Sequence, residues 1–96
     1  MSAITRVGVD PSAGHCFSSR PASSGGQGTV FINSILATVV GATYPAHTCG
    51  TSTHDGVAST GSSTVFIEGK PVHRIGDDIS CGDVSAAGSE NVFAGG

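Results

Sequence analysis

Four histidines and three cysteines stand in a chain of 96 residues. Six of the seven fall in polar stretches: His15 and Cys16, then His47, Cys49 and His54, then Cys81. The seventh, His73, lies between Val72 and Arg74 in a β-prone run. Imidazole and thiolate together are the ligands of a structural zinc, which takes four of them tetrahedrally and makes no redox demand. Iron or copper accepts the same donors. The spacing contains neither a paired Cys-x-x-Cys nor a His-Glu-x-x-His helix motif, so it does not by itself select the four ligands. Taken singly, a loop histidine is solvated and a lone cysteine is a small buried hydrophobe. A catalytic reading is also open. His15-Cys16, or Cys49 with His54 and Asp55, can be drawn as a nucleophile and base, or the metal as that of a small zinc-dependent hydrolase.

The rest of the composition explains why a metal would be needed. There are 15 glycines, no tryptophan, one tyrosine and four phenylalanines, and 11% of residues are charged. A chain of this length makes one domain, residues 1–96, with little apolar surface to bury. Small domains of that kind add a disulfide, a metal or a partner. The net charge of −3, with four Lys and Arg, opposes a nucleic-acid footprint. No apolar run approaches the roughly 20 residues of a membrane span. The opening residues contain no signal-peptide core. Folding in a reducing cytoplasm is expected, where three cysteines form no disulfide framework.

The elements that would position these residues are short strands. Thr64 to Gly82 reads as a hairpin: Val65-Phe66-Ile67, a turn at Glu68-Gly69-Lys70-Pro71, a return along Val72–Ile75, and a second turn at Gly76-Asp77-Asp78 that delivers Cys81. The tetrapeptide TVFI begins at Thr29 and again at Thr64. The repeat pairs Asn33 with Glu68, Ser34 with Gly69, Leu36 with Pro71 and Gly41 with Gly76. The first copy lacks the turn Gly and Pro and reads as degenerate. A third partial copy, Gly88-Ser89-Glu90-Asn91-Val92-Phe93, closes the chain. Ala3–Asp10 reads as a first strand ended by Pro11, Ser18–Gly28 as a loop, and Tyr44–Gly56 as a second polar loop. No stretch has helical apolar spacing. The fold class is therefore all-β with almost no helix.

The segment Pro71-Val72-His73-Arg74, Ile75-Gly76-Asp77 and Cys81-Gly82 resembles the hallmark of the PAAR-repeat family, a Gly-x-Pro-Ala-Ala-Arg-x-Gly-Asp turn and strand followed by Cys-Gly. Asp10-Pro11 with His15, the paired Thr-Val-Phe strands, and Gly88-Ser89 with Asn91-Val92-Phe93 extend the resemblance over nearly the whole chain. It is weakest across Ser34–Ala42. The resemblance implies a small cone of three β-hairpin faces with pseudo-three-fold symmetry. It also implies one structural zinc near the vertex, held by three histidines and one cysteine. Carried onto this sequence those are His15, His47, His54 and Cys81. Cys49 is the rival of His47, and Cys16 points away from its neighbour His15 in an extended chain. His73 occupies an alanine position of the hallmark, so its removal is expected to cost little.

The implied function is mechanical. Such proteins cap the blunt end of a trimeric β-helical spike, one per trimer, in contractile phage tails and in type VI secretion systems. The expectation is a non-enzymatic tip that is monomeric on its own and touches the bacterial envelope transiently, with no nucleic acid and no small-molecule substrate. The bare length and the altered first repeat lean toward a phage tail baseplate, the protein then belonging to the virion and assembling in the host cytoplasm. The alternative is a secreted type VI spike tip acting as an effector adaptor, with any toxin on a separate chain.

Overall fold

The computed structural model describes residues 2–14, 19–49 and 52–95, and for 47–49 and 52–54 it describes the backbone alone. Eight strands appear in chain order: β1 Ser2–Ala3, β2 Phe31–Ile32, β3 Ile35–Leu36, β4 Thr43–Cys49, β5 Ser52–Val57, β6 Phe66–Ile67, β7 Lys70–Pro71 and β8 Phe93–Ala94. No helix occurs among the described residues. The molecule is elongated, 38 × 23 × 22 Å.

Three of the four strand pairs are the same hairpin. In β6–β7, Phe66 faces Pro71 and Ile67 faces Lys70. In β2–β3, Phe31 faces Leu36 and Ile32 faces Ile35. In β8–β1, Phe93 faces Ala3 and Ala94 faces Ser2. The turn of the second hairpin is two residues, Glu68 (φ 52°) and Gly69 (φ 79°), rather than four, and Lys70 and Pro71 already belong to the returning strand. Positive φ at both central residues is the signature of a tight turn whose twist matches that of the strands. The first hairpin makes the same turn from Asn33 (φ 54°) and Ser34 (φ 67°). The first copy is therefore altered in sequence but intact in shape. Asn reaches the left-handed region more readily than most residues, and each side chain is held or exposed on the surface. The third hairpin has no covalent turn, because the two ends of the chain supply its strands.

A closed ring of backbone hydrogen bonds joins the three faces. The amide of Thr5 donates to His73 O at 3.0 Å, that of His73 to Thr38 O at 2.9 Å, and that of Thr38 to Thr5 O at 3.0 Å. A second ring repeats the pattern, from Val7 to Leu36 O (2.9 Å), Val40 to Pro71 O (2.9 Å) and Ile75 to Ala3 O (3.0 Å). The strand starts repeat as well. Gln27 Oε1, Ser62 Oγ and Ser89 Oγ each accept the amides two and three residues on, Thr29 and Val30, Thr64 and Val65, Asn91 and Val92. Just before them, Gly25, Gly61 and Gly88 pass so close to the neighbouring face that a Cβ would lie 2.5, 2.6 and 2.8 Å from the carbonyl oxygens of Ala37, Val72 and Ile4. Ile4, Ala37 and Val72, with Ile32, Val39 and Ala94, fill the interior. The fold is thus a three-faced β body with pseudo-three-fold symmetry.

Below this body the chain makes three further excursions. Pro11 pairs with Pro21, β4 pairs with β5, and Asp78 pairs with Val84 across a tight turn. Residues 44–56, expected as a loop, instead belong to the longest hairpin among the described residues, β4 with β5. Thr43, Tyr44, Thr48, Thr53 and Val57 are β-prone, and two polar strands paired with each other keep their ladder without an apolar face. A second cluster of Ala22, Ala42, Tyr44, Ala58 and Ile79 lies here, with Cys81 packed against it.

His73 corrects another expectation. Its side chain is the largest of those fully buried. Nδ1 lies 2.8 Å from Thr60 O, and Nε2 lies 2.6 Å from Ser85 Oγ, which is 3.0 Å from the Tyr44 hydroxyl. Thr5 Oγ1 makes the bond corresponding to that of Nδ1, to Ala87 O at 3.1 Å. The third equivalent, Thr38, has a buried hydroxyl with no partner among the described residues.

Three substitutions test this packing by denaturant unfolding. Thr38→Val keeps the shape and removes the unpaired hydroxyl, so stability is expected to hold or rise by up to about 1 kcal/mol. A loss of more than that would mean the hydroxyl is bonded. Gly61→Ala drives a methyl into Val72 O and is expected to cost about 1–3 kcal/mol. His73→Ala leaves a cavity and strands two buried partners, an expected cost of about 2–4 kcal/mol, and a neutral effect would restore the view of His73 as a simple strand residue.

Candidate functional site at the narrow end

The three lower hairpins are tied to one another by backbone. Ala13 donates to Val84 O at 2.9 Å, and the amide of Gly14 donates to the Asp83 carboxylate at 2.9 and 3.2 Å. Ser80 donates to Val57 O at 2.8 Å, and Val57 returns a bond to Ser80 Oγ at 2.9 Å. Ser23 donates to Thr43 O at 2.8 Å, which joins the first excursion to β4. Three separated parts of the chain, around Gly14, the base of β4–β5 and the Asp78–Val84 turn, are thereby tied together.

Cys81 is a free, half-buried thiol. Its place depends on Gly56: a Cβ there would stand 3.1 Å from Cys81 Sγ and 2.8 Å from Ile79 Cγ2. The thiol is seated directly on the backbone of β5 because position 56 carries no side chain. Gly56 pairs with Tyr44, and the next register row, beyond an irregularity, pairs His47 with His54 across the hairpin. His54 precedes the seat of Cys81 by two residues along β5. The arm leading to position 15 is fixed at Gly14 by Asp83, two residues after Cys81. His15 and Cys16 themselves lie outside the described residues, as do the side chains of His47, Cys49 and His54. Among the described residues no group of three His, Cys, Asp or Glu side chains is arranged to hold a metal ion. The donor set and the cradle for Cys81 fit a His and Cys metal site, and the choice between His47 and Cys49 rests on the side chains not described.

Two supports escaped the sequence reading. Asp83 anchors the His15 arm, and its position after Cys81-Gly82 was the available signal. Gly56 is the cradle, and only the packing of β5 against Ile79 and Cys81 reveals why it must be glycine. Tyr44, inside the stretch read as a loop, is buried against the same cluster, and burial raises its pKa above the ordinary phenol value. His73 meets this end through Ser85 and the Tyr44 ring.

The opposite end carries a different surface. Phe31, Phe66 and Phe93 occupy the same position in the three hairpins and are 57%, 53% and 48% exposed, with Val30 and Val65 beside them. Large aromatic side chains are thus repeated at three equivalent exposed positions, one on each hairpin. A polar cleft lined by Arg6, Asn33, Glu90 and Asn91 lies along the seam between the first and third faces. Arg6 is held there by Asp10, at 2.7 and 3.1 Å, and its counterpart Arg74 is held by Asp77, at 2.9 and 3.1 Å.

Comparison with known proteins agrees with this architecture. No curated protein matches the chain. The family described as PAAR motif matches residues 19–87, more than two thirds of the sequence. The match spans the first two hairpins, the β4–β5 excursion and the Cys81 turn. On that match, and with three like hairpin faces, the chain belongs to the PAAR-motif family, the structural spike-tip family of contractile phage tails and type VI secretion systems.

Proposed function

We propose that the protein is a zinc-stabilised tip that caps the trimeric β-helical spike of a contractile injection apparatus, of the phage-tail or type VI kind, and gives that spike a point able to pass a bacterial envelope. The observation that carries the reading is the three-fold repetition of exposed Phe31, Phe66 and Phe93 at equivalent hairpin positions of one chain. A single chain with three equivalent apolar contacts suits a partner whose blunt end has three identical chains. Burying each ring would contribute on the order of 1.5–3 kcal/mol, and the polar seams around them would exclude misaligned docking.

His15, His47, His54 and Cys81 would hold the zinc. A closed site of four protein ligands supplies cross-linking and no reactive water. In a body that narrows to a cluster built largely of alanines, it would tie three hairpins that have little else to bury. Structural zinc in small domains contributes about 10–16 kcal/mol of apparent binding free energy, comparable to the whole stability of a fold. No catalytic step is needed for such a part.

Metal analysis of the purified protein is expected to find one zinc per chain, and chelation is expected to lower the melting temperature sharply. Cys81→Ser, His15→Ala and His54→Ala should each lose the zinc, and Cys16→Ser should keep it. If Cys49→Ser loses the metal and His47→Ala keeps it, Cys49 is the fourth ligand; a metal-free, stable wild type contradicts the site. For the partner, Phe31→Ser, Phe66→Ser and Phe93→Ser combined are expected to weaken binding to a cognate spike by at least 100-fold with the isolated fold intact. Unchanged binding would place the interface elsewhere.

A further inference from the structure

Where the family hallmark has alanine, this chain has buried an ionisable ring, and the ring spans two parts of the fold. The backbone of His73 belongs to the upper hydrogen-bonded ring with Thr5 and Thr38. Its side chain reaches Thr60, which follows the β4–β5 excursion, and Ser85, which follows the Cys81 turn. Ser85 is in turn tied into the narrow end: it pairs with Ser12 and exchanges backbone bonds with Gly76 and Asp77. The direction of the chain of bonds follows from chemistry. Thr60 O can only accept, so Nδ1 carries the proton. Nε2 is then an acceptor for the Ser85 hydroxyl, and Ser85 Oγ accepts from the Tyr44 hydroxyl.

We propose that His73 is an acid-sensitive latch between the three-faced body and the narrow end, closed while the imidazole is neutral and released when Nε2 takes a proton. Protonation leaves Ser85 facing a donor where it had an acceptor. The Ser85 and Tyr44 hydroxyls must both turn, and a positive charge stands in a site with no water contact. Burial pulls the His73 pKa below the ordinary imidazole value, and the Thr60 carbonyl pulls weakly the other way. The charged groups facing it come from one segment. Asp77 and Asp78 favour the cation and Arg74 opposes it, but Arg74 and Asp77 are bonded to each other and largely cancel. Across from it, β4 presents the Tyr44 ring at 6.1 Å, and Thr60 and Ser85 carry no charge. The unfolded chain therefore binds a proton more readily than the folded one. Stability is full above the unfolded pKa of about 6.5 and falls as pH drops below it. The latch does not depend on the zinc assignment.

Unfolding of the full-length, zinc-saturated protein is to be measured between pH 7.5 and 5.0 for wild type, His73→Asn and His73→Gln. The folding constant of wild type relative to either variant is expected to fall with a slope approaching tenfold per pH unit below about pH 6.5. Parallel pH profiles overturn the proposal. The wild type is also to be followed by ¹⁵N imidazole shifts. His73 is expected to remain the neutral Nδ1–H tautomer below pH 6 for as long as the chain is folded. A folded-state midpoint near 6.5 overturns the proposal even if both variants fail to fold.

Discussion

The closed ring through Thr5, Thr38 and His73 is the constraint from which the rest of the structure follows. Each amide in it needs a carbonyl from the next face, so no face can be completed alone. The ring forces three hairpins to start at equivalent heights, places their interior residues Ile4, Ala37 and Val72 around one axis, and leaves the three phenylalanines exposed at equivalent positions. It also explains the glycines before each strand. Where the chain crosses from one face to the next, a carbonyl oxygen of the neighbour takes the space a side chain would need.

The two ends of the molecule then face opposite physical problems. The wide end has apolar surface to spare, and its aromatic rings remain exposed in the isolated chain. The narrow end has few large apolar groups: Tyr44, Ile79 and several alanines. What order it has among the described residues comes from backbone ties between excursions, from Asp83 on Gly14, and from the seat of Cys81 on Gly56. A metal site drawing ligands from the same three excursions would complete this arrangement, and the apolar rings would complete theirs on a partner. His73 joins the two parts, its backbone in the ring and its side chain on Thr60 and Ser85.

Much of this was legible in the residues. The two TVFI copies aligned Asn33 with Glu68 and Leu36 with Pro71, and the hairpins pair in that register. The first turn was undervalued because glycine was taken as the mark of positive φ, whereas Asn33 and Ser34 adopt it at an exposed tip. The third hairpin was harder to see, since its halves lie at opposite ends of the chain and no local turn announces it. Tyr44–Gly56 looks like a loop in the sequence because it lacks an apolar face; its strands pair with each other, and Tyr44 and Gly56 at their base are buried. His73 was misjudged because its hallmark position suggests a small strand residue, and nothing local reveals Thr60 and Ser85 beside it. The ligand set His15, His47, His54 and Cys81 came from resemblance, because no spacing in the sequence selects four of the seven His and Cys residues.

The central claim is that one three-faced chain matches a three-chain partner, which makes the composition of the complex the most direct test. Native mass spectrometry of the protein with a cognate spike is expected to give a single species of one copy per spike trimer carrying one zinc. A complex with three copies per trimer, one on each spike chain, would contradict the account.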